Sequence, residues 1–149
     1  VHGCLIVDGV HVDPVMVRHA FRLLGPDRTV LVTDATAATG MPDGDYTLSG
    51  VAVRARGGSV RDAAGHLAGS ALTMAQAAGN LLRFVPQIGP WTLARAAATN
   101  PARLAHAGHL GAIAAGRRAA FTLLGDDGTF SCVRACPRRR AAATRPGRR

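Results

Sequence analysis

The stretch CLIVDGVHVDPVMVRHAFRLLGPDRTVLVTD, residues 4–34, decides the fold. Cys4–Val7 is a short apolar run of the kind that forms a buried strand. Asp13 and Pro14 then mark a helix start, with Asp13 placed to cap and Pro14 in the first helical position. Met16, Ala20, Leu23 and Leu24 recur at helical spacing and predict its buried face. Gly25-Pro26 stops the helix, because glycine tolerates a positive φ and proline cannot continue the ladder. The β-branched run Thr29–Thr33 follows and predicts a strand buried on both faces. Strand, helix, strand at this spacing is a βαβ unit, which implies a parallel sheet and an α/β class.

Beyond Asp34 the texture changes to small residues, Gly and Pro, and predicts a loop to Gly44. Residues 46–48, 51–56 and 59–61 then predict short antiparallel strands, joined by Ser49-Gly50 and Gly57-Gly58. Gly65–Ser70 leads back into a second helix, whose expected stripe is Met74, Ala78, Leu81, Leu82 and Val85. Two shorter helices are expected near 91–98 and 101–105, the second capped by Asn100 with Pro101 in its first position. Residues 110–116 turn into a strand over 120–124. From Arg134 onward only Arg, Ala, Pro, Thr, Gly and Cys occur, which cannot build a core, so disorder is expected there.

The chain has 149 residues, enough for one ordinary domain and short of the roughly 250 that a complete eight-stranded α/β barrel takes. No basic-then-apolar leader opens it, and no apolar run approaches the ~20 residues of a membrane span, so a soluble, cytoplasmic protein is expected. The net charge is +9, but Lys and Glu are absent. Seven of the eighteen Arg lie beyond position 133, leaving eleven against nine Asp in the body. A basic body would suggest a nucleic-acid footprint; this one is nearly neutral. Cys4, Cys132 and Cys136 are odd in number and widely split, which argues against a disulfide framework, and they have no partners at zinc-site spacing.

Asp34 closes the second aliphatic strand and opens a Gly-containing loop. Ligands and catalytic groups gather at that carboxyl edge of a parallel sheet. Its carboxylate is therefore a candidate for proton transfer, with an Asx-turn as the competing reading. His11 follows the other strand and should share the rim. It could bind phosphate, polarise a carbonyl or ligate metal, or be an ordinary loop histidine. His2, His19, His66, His106 and His109 show no paired ligand spacing. Gly69-Ser70 could offer N–H groups to an anion, or Ser70 could cap the second helix.

Four words, 5–12 (LIVDGVHV), 31–37 (LVTDATA), 67–74 (LAGSALTM) and 98–104 (ATNPARL), together resemble N-acetylglucosamine-6-phosphate deacetylases of the amidohydrolase superfamily. They stand in that family's order and at close to its spacing; the likeness runs from about His2 to Leu124 and fades beyond. The resemblance implies the C-terminal part of a (β/α)₈ TIM barrel over residues 1–109, with an inserted β-hairpin region. Residues 110–133 would return toward a small β-sandwich, and 134–149 would be the Arg-rich tail. It further implies hydrolysis of N-acetyl-D-glucosamine 6-phosphate to D-glucosamine 6-phosphate and acetate, by water activated on a divalent metal (zinc or iron). Asp34 would be the catalytic base and then acid. Asp8, Gly9, Val10 and His11, with Leu67, Ala68 and Gly69, would contact the sugar phosphate.

Two departures limit the implication. The family's metal-binding glutamate and histidines, and the loop that completes a neighbouring site in its homodimers, have no counterpart in this sequence. The isolated chain is therefore expected to bind no catalytic metal and to be inactive. Two alternatives stand beside this reading. One is an amidohydrolase acting on a related amide; the other is a nucleic-acid-binding protein using the Arg-rich tail, although interleaved aromatics are missing.

Overall fold

The computed structural model describes residues 1–134; the rest of the Arg-rich tail, with the disorder and nucleic-acid readings attached to it, lies outside the described residues. The described part is mixed α/β with three small sheets. Strand β1 (Gly3–Ile6) pairs in parallel with β2 (Thr29–Val32), Gly3 opposite Thr29 through Ile6 opposite Val32. Helix α1 (Pro14–Leu24) crosses between them, as the βαβ pattern requires. Asp13 accepts from the Val15 N–H at 2.7 Å, Pro14 sits in the first turn, and Gly25 ends the helix at φ 72°.

A four-stranded antiparallel meander follows: β3 (Gly44–Leu48), β4 (Val51–Arg56), β5 (Ser59–Asp62) and β6 (Leu67–Ser70). Ser49-Gly50 and Gly57-Gly58 both carry two positive φ angles, the backbone that matches hairpin twist. Val53, Ala55 and Val60 of the meander make a small core with Ala38 of the preceding loop. Helix α2 (Met74–Phe84) leads into α3 (Pro90–Ala94), a π-helical turn (Arg95–Thr99) and α4 (Asn100–Leu104). The chain closes with the antiparallel hairpin of β7 (Ala120–Leu124) and β8 (Phe130–Arg134).

The main core lies between the parallel pair and the helices. Val7, Val17, Leu81, Val85, Ala77 and Ala96 are fully buried there, and Phe130 packs against its margin. Each buried Leu or Val contributes about 2 kcal/mol from apolar area alone. No helix among the described residues is long and apolar enough to cross a membrane.

Four expectations are corrected. The buried face of α1 is Val17 and Phe21, while Met16 and Leu23 are 56% and 79% exposed. Nearly every α1 position other than Arg18, His19 and Arg22 is apolar, so periodicity alone left the face one residue out of phase. Met74 is exposed for a similar reason, since α2 buries Ala77, Ala78, Leu81 and Phe84. Residues 67–70 are strand β6 rather than the approach to a helix. The true start of α2 is a capping box, with the Thr73 hydroxyl bonded to the Gln76 N–H and Gln76 reaching back to the Thr73 N–H. Finally, residues 90–104 form one uninterrupted helical run through Pro101. Proline has no N–H for the carbonyl four residues back, and the π turn just before it takes up that mismatch. Asn100 is therefore no cap. It is 1% exposed, and its side-chain amide donates to the Pro26 and Thr29 carbonyls at 2.8 and 2.7 Å, locking the helix to the start of β2.

Candidate functional site

The two parallel strands end side by side. Asp8 and Asp34 each lie two residues beyond the last matched pair, Ile6 and Val32, so both occupy the carboxyl edge of the sheet. The chain treats them in opposite ways.

Asp8 is tied into its own loop. One carboxylate oxygen accepts from the N–H groups of Val10 and His11, both at 2.9 Å. The other meets His11 Nδ1 at 2.6 Å. Burial pushes the Asp8 carboxyl upward, but the His11 ring and the two N–H bonds outweigh it and hold it below its ordinary value. An ionised carboxylate can only accept, so Nδ1 carries the proton and the Nε2 side of the ring is turned to the surroundings. The side chains of Asp8 and His11 are only 4% and 15% exposed. Gly9 makes the turn at φ 78°, with the Phe84 ring at 3.4 Å from where a Cβ would sit. Asn80 braces the approach, donating to the Val7 carbonyl at 2.8 Å while Arg83 donates to its own oxygen.

Asp34 is exposed, and among the described residues its carboxylate takes no hydrogen bond, so the Asx-turn reading does not hold. Its backbone sits at φ 51°, a left-handed conformation that costs a non-glycine residue about 1 kcal/mol. The strand end is held by Ser70 of β6. The Ser70 N–H donates to the Asp34 carbonyl at 2.8 Å, and its hydroxyl donates to the Thr33 carbonyl. Ser70 therefore neither caps α2 nor offers a free N–H to an anion. Gly69 beside it has φ 100°, and a Cβ there would meet Thr36 Cγ2 at 2.7 Å and Asp34 Oδ2 at 3.5 Å. Gly69 thus lies against the Asp34 loop, while Leu67 is exposed opposite Arg61 and Ala68 packs on the small core.

A cavity of about 220 Å³ opens between the Asp8 turn, the Gly57-Gly58 hairpin and the face of α2, lined by Asp8, Gly57, Gly58, Leu72, Gln76 and Asn80. Asp34 does not line it. The cavity and the exposed Asp34 carboxylate are thus separate features of the described residues. Among the described residues no three His, Cys, Asp or Glu side chains gather, so Asp34 and His11 do not form a ligand set and the residues present do not fit a catalytic divalent metal. Asn80 and Gln76 carry no role in the sequence analysis, and the bonds of Ser70 to Thr33 and Asp34 lie outside both of its sequence readings. The available signal is an Asn inside a helix, a residue whose side chain competes with the helix's own hydrogen bonds and so invites a search for an outside partner.

No family model matches the chain. It is 40% identical over 121 residues to an Escherichia coli K12 protein provisionally named an N-acetylgalactosamine-6-phosphate deacetylase, covering 80% of this chain and 71% of that protein. It is 37% identical over 125 residues to the N-acetylglucosamine-6-phosphate deacetylase of Vibrio furnissii, covering 83% of this chain and 31% of the relative. The solved N-acetylglucosamine-6-phosphate deacetylase of Thermotoga maritima superposes with a TM-score of 0.84 at 33% identity, over 90% of this chain and 37% of that one. An aspartate-to-alanine variant of the Mycobacterium smegmatis enzyme, solved with N-acetyl-D-glucosamine-6-phosphate, superposes at 0.81 and 37% identity, over 90% and 36%. The chain therefore spans about a third of the Vibrio relative and of both solved structures.

Proposed function

This chain belongs to the family of N-acetylglucosamine- and N-acetylgalactosamine-6-phosphate deacetylases, and from that premise we propose that it supplies the proton-transfer and sugar-phosphate side of a deacetylase site. In this reading β1 and β2 are late strands of a (β/α)₈ barrel, β3–β6 its insertion, and β7–β8 part of a small sandwich beginning near residue 110. The whole enzyme would act as a cytoplasmic homodimer.

The observation that carries the reading is the state of Asp34: an exposed carboxylate with no partner among the described residues, on a clamped backbone at the carboxyl end of a parallel strand. Deacetylation adds water to the N-acetyl carbonyl carbon and then breaks the C–N bond, giving acetate and an amine. Asp34 takes the proton from the attacking water and returns it to the departing nitrogen, without which the amine is a poor leaving group. His11, its Nδ1 fixed by Asp8, presents Nε2 to the sugar phosphate, and the Leu67–Gly69 strand forms the opposing wall. In the family a divalent metal supplies Lewis-acid activation of the water; its ligands would have to come from outside the described residues.

Two measurements test this. The 149-residue chain by itself is expected to bind no stoichiometric zinc or iron and to release no acetate; metal with turnover would overturn that. Grafted in place of the matching third of the Vibrio furnissii enzyme, it should release acetate from N-acetylglucosamine 6-phosphate in preference to the unphosphorylated sugar. Equal rates on both sugars would remove the phosphate-recognition role of Asp8–His11.

A further inference from the structure

We propose that Ser70 is a positioning residue that holds the Asp34 carboxylate in its working orientation, an inference that rests on the reading of Asp34 as the acid/base. Ser70 is fully buried, and each of its polar groups is engaged. Its carbonyl accepts from the Thr36 N–H at 2.9 Å and from the hydroxyls of Thr36 and Thr39 at 3.1 and 3.3 Å. Its N–H donates to the Asp34 carbonyl, its hydroxyl donates to the Thr33 carbonyl, and the same hydroxyl accepts from the Leu72 N–H at 3.1 Å. All but the last of these bonds land on the loop that carries Asp34.

The geometry is specific. The two peptide planes flanking the Asp34 Cα are those of the Thr33 and Asp34 carbonyls, and one residue pins both. Fixing both planes fixes φ and ψ together, which is what an Asp at φ 51° needs, because left free it would relax out of the left-handed region. The N–H half of the clamp survives any substitution at position 70 except proline; the hydroxyl half belongs to serine. Removing the hydroxyl frees the Thr33–Asp34 plane, and the carboxylate swings with it. A misplacement on the order of 1 Å can cost ~100-fold in rate.

The test compares wild type, Ser70→Ala and Asp34→Asn. In the 149-residue chain, NMR should show the strong intraresidue HN–Hα contact of a positive φ at Asp34, and Ser70→Ala should lose it while Leu31 and Leu81 keep their shifts. In the grafted enzyme, Ser70→Ala should lower kcat about 10- to 100-fold with KM nearly unchanged. If Ser70→Ala unfolds the chain, Ser70→Cys, which keeps the volume but weakens the donor, reads the same two signals. Retention of the Asp34 contact, or kcat and KM changing in parallel, overturns the positioning role. Full activity in Asp34→Asn would instead overturn the acid/base reading, so the two failures are distinguishable.

Discussion

Asp8 and Asp34 occupy equivalent places at the ends of adjacent parallel strands, yet one carboxylate is bonded within its own loop and the other has no partner among the described residues. Asp8 has its carboxylate saturated by two N–H groups and a histidine, on a turn built by Gly9. Asp34 has its own carbonyl and that of Thr33 bonded by Ser70 instead, and its carboxylate left bare among the described residues. The difference teaches that position at a sheet's carboxyl edge identifies a candidate, whereas the pattern of hydrogen bonds says which atoms remain available for chemistry.

The comparison can be broken from the structural side first. Gly69→Ala should be the most damaging change, because a Cβ would drive into Thr36 Cγ2 at 2.7 Å from a backbone already at φ 100°. A loss of about 2–4 kcal/mol in chemical denaturation is expected; an unchanged midpoint would mean that the Asp34 loop is not packed on β6. Asp8→Ala comes next. It strips the partners from two N–H groups and one imidazole, and should lower stability by about 2 kcal/mol. Stability equal to wild type would show that the Asp8 carboxylate does not hold its turn together.

The pH dependence has a definite sign. The folded-state pKa of Asp8 lies below its ordinary value, so its contribution is complete above about pH 4 and is lost as pH falls through the lower, folded-state value. Asp8→Asn should flatten the acid limb of the stability curve, leaving the part owed to Asp45, Asp62 and Asp127, whose pKa values are also lowered. An unaltered acid limb would contradict the assignment. The smallest effect should run the other way: Asp34→Gly relieves a left-handed φ and should stabilise the chain by about 0.5–1 kcal/mol. A destabilised Asp34→Gly would mean that the bare carboxylate has a structural partner after all.

How much of this was legible in the sequence follows the range of the interactions. The βαβ unit, the Asp13 cap, the Pro14 start, the Gly25 stop and the three hairpin strands rest on local chemistry, and the structure has them where residue type indicated. The phase of α1 was not legible, because an almost wholly apolar helix has no unique buried stripe until its neighbours choose one. By local pattern Asn100 reads as a cap and Ser70 as a cap or an anion donor, and neither does either. Each uses its side chain across dozens of residues of sequence, Ser70 to Thr33 and Asn100 to Pro26 and Thr29, and no local pattern encodes such bonds. Pro101 reads as a helix start because the π turn that lets a helix run through proline has no residue signature of its own. Of the candidate site, the sequence puts Asp34 and His11 beyond the two strand ends and the structure has both there, while the bonds of Ser70 and Asn80 require the fold.

The proposed role of Asp34, moving the proton in deacetylation, is tested by acetate release from N-acetylglucosamine 6-phosphate by the grafted enzyme with Asp34→Asn. The asparagine keeps the shape and the backbone clamp but cannot take a proton from water. Turnover should fall by roughly 10²–10⁴-fold with the folded state intact. Turnover within a few-fold of wild type would contradict the assignment of Asp34.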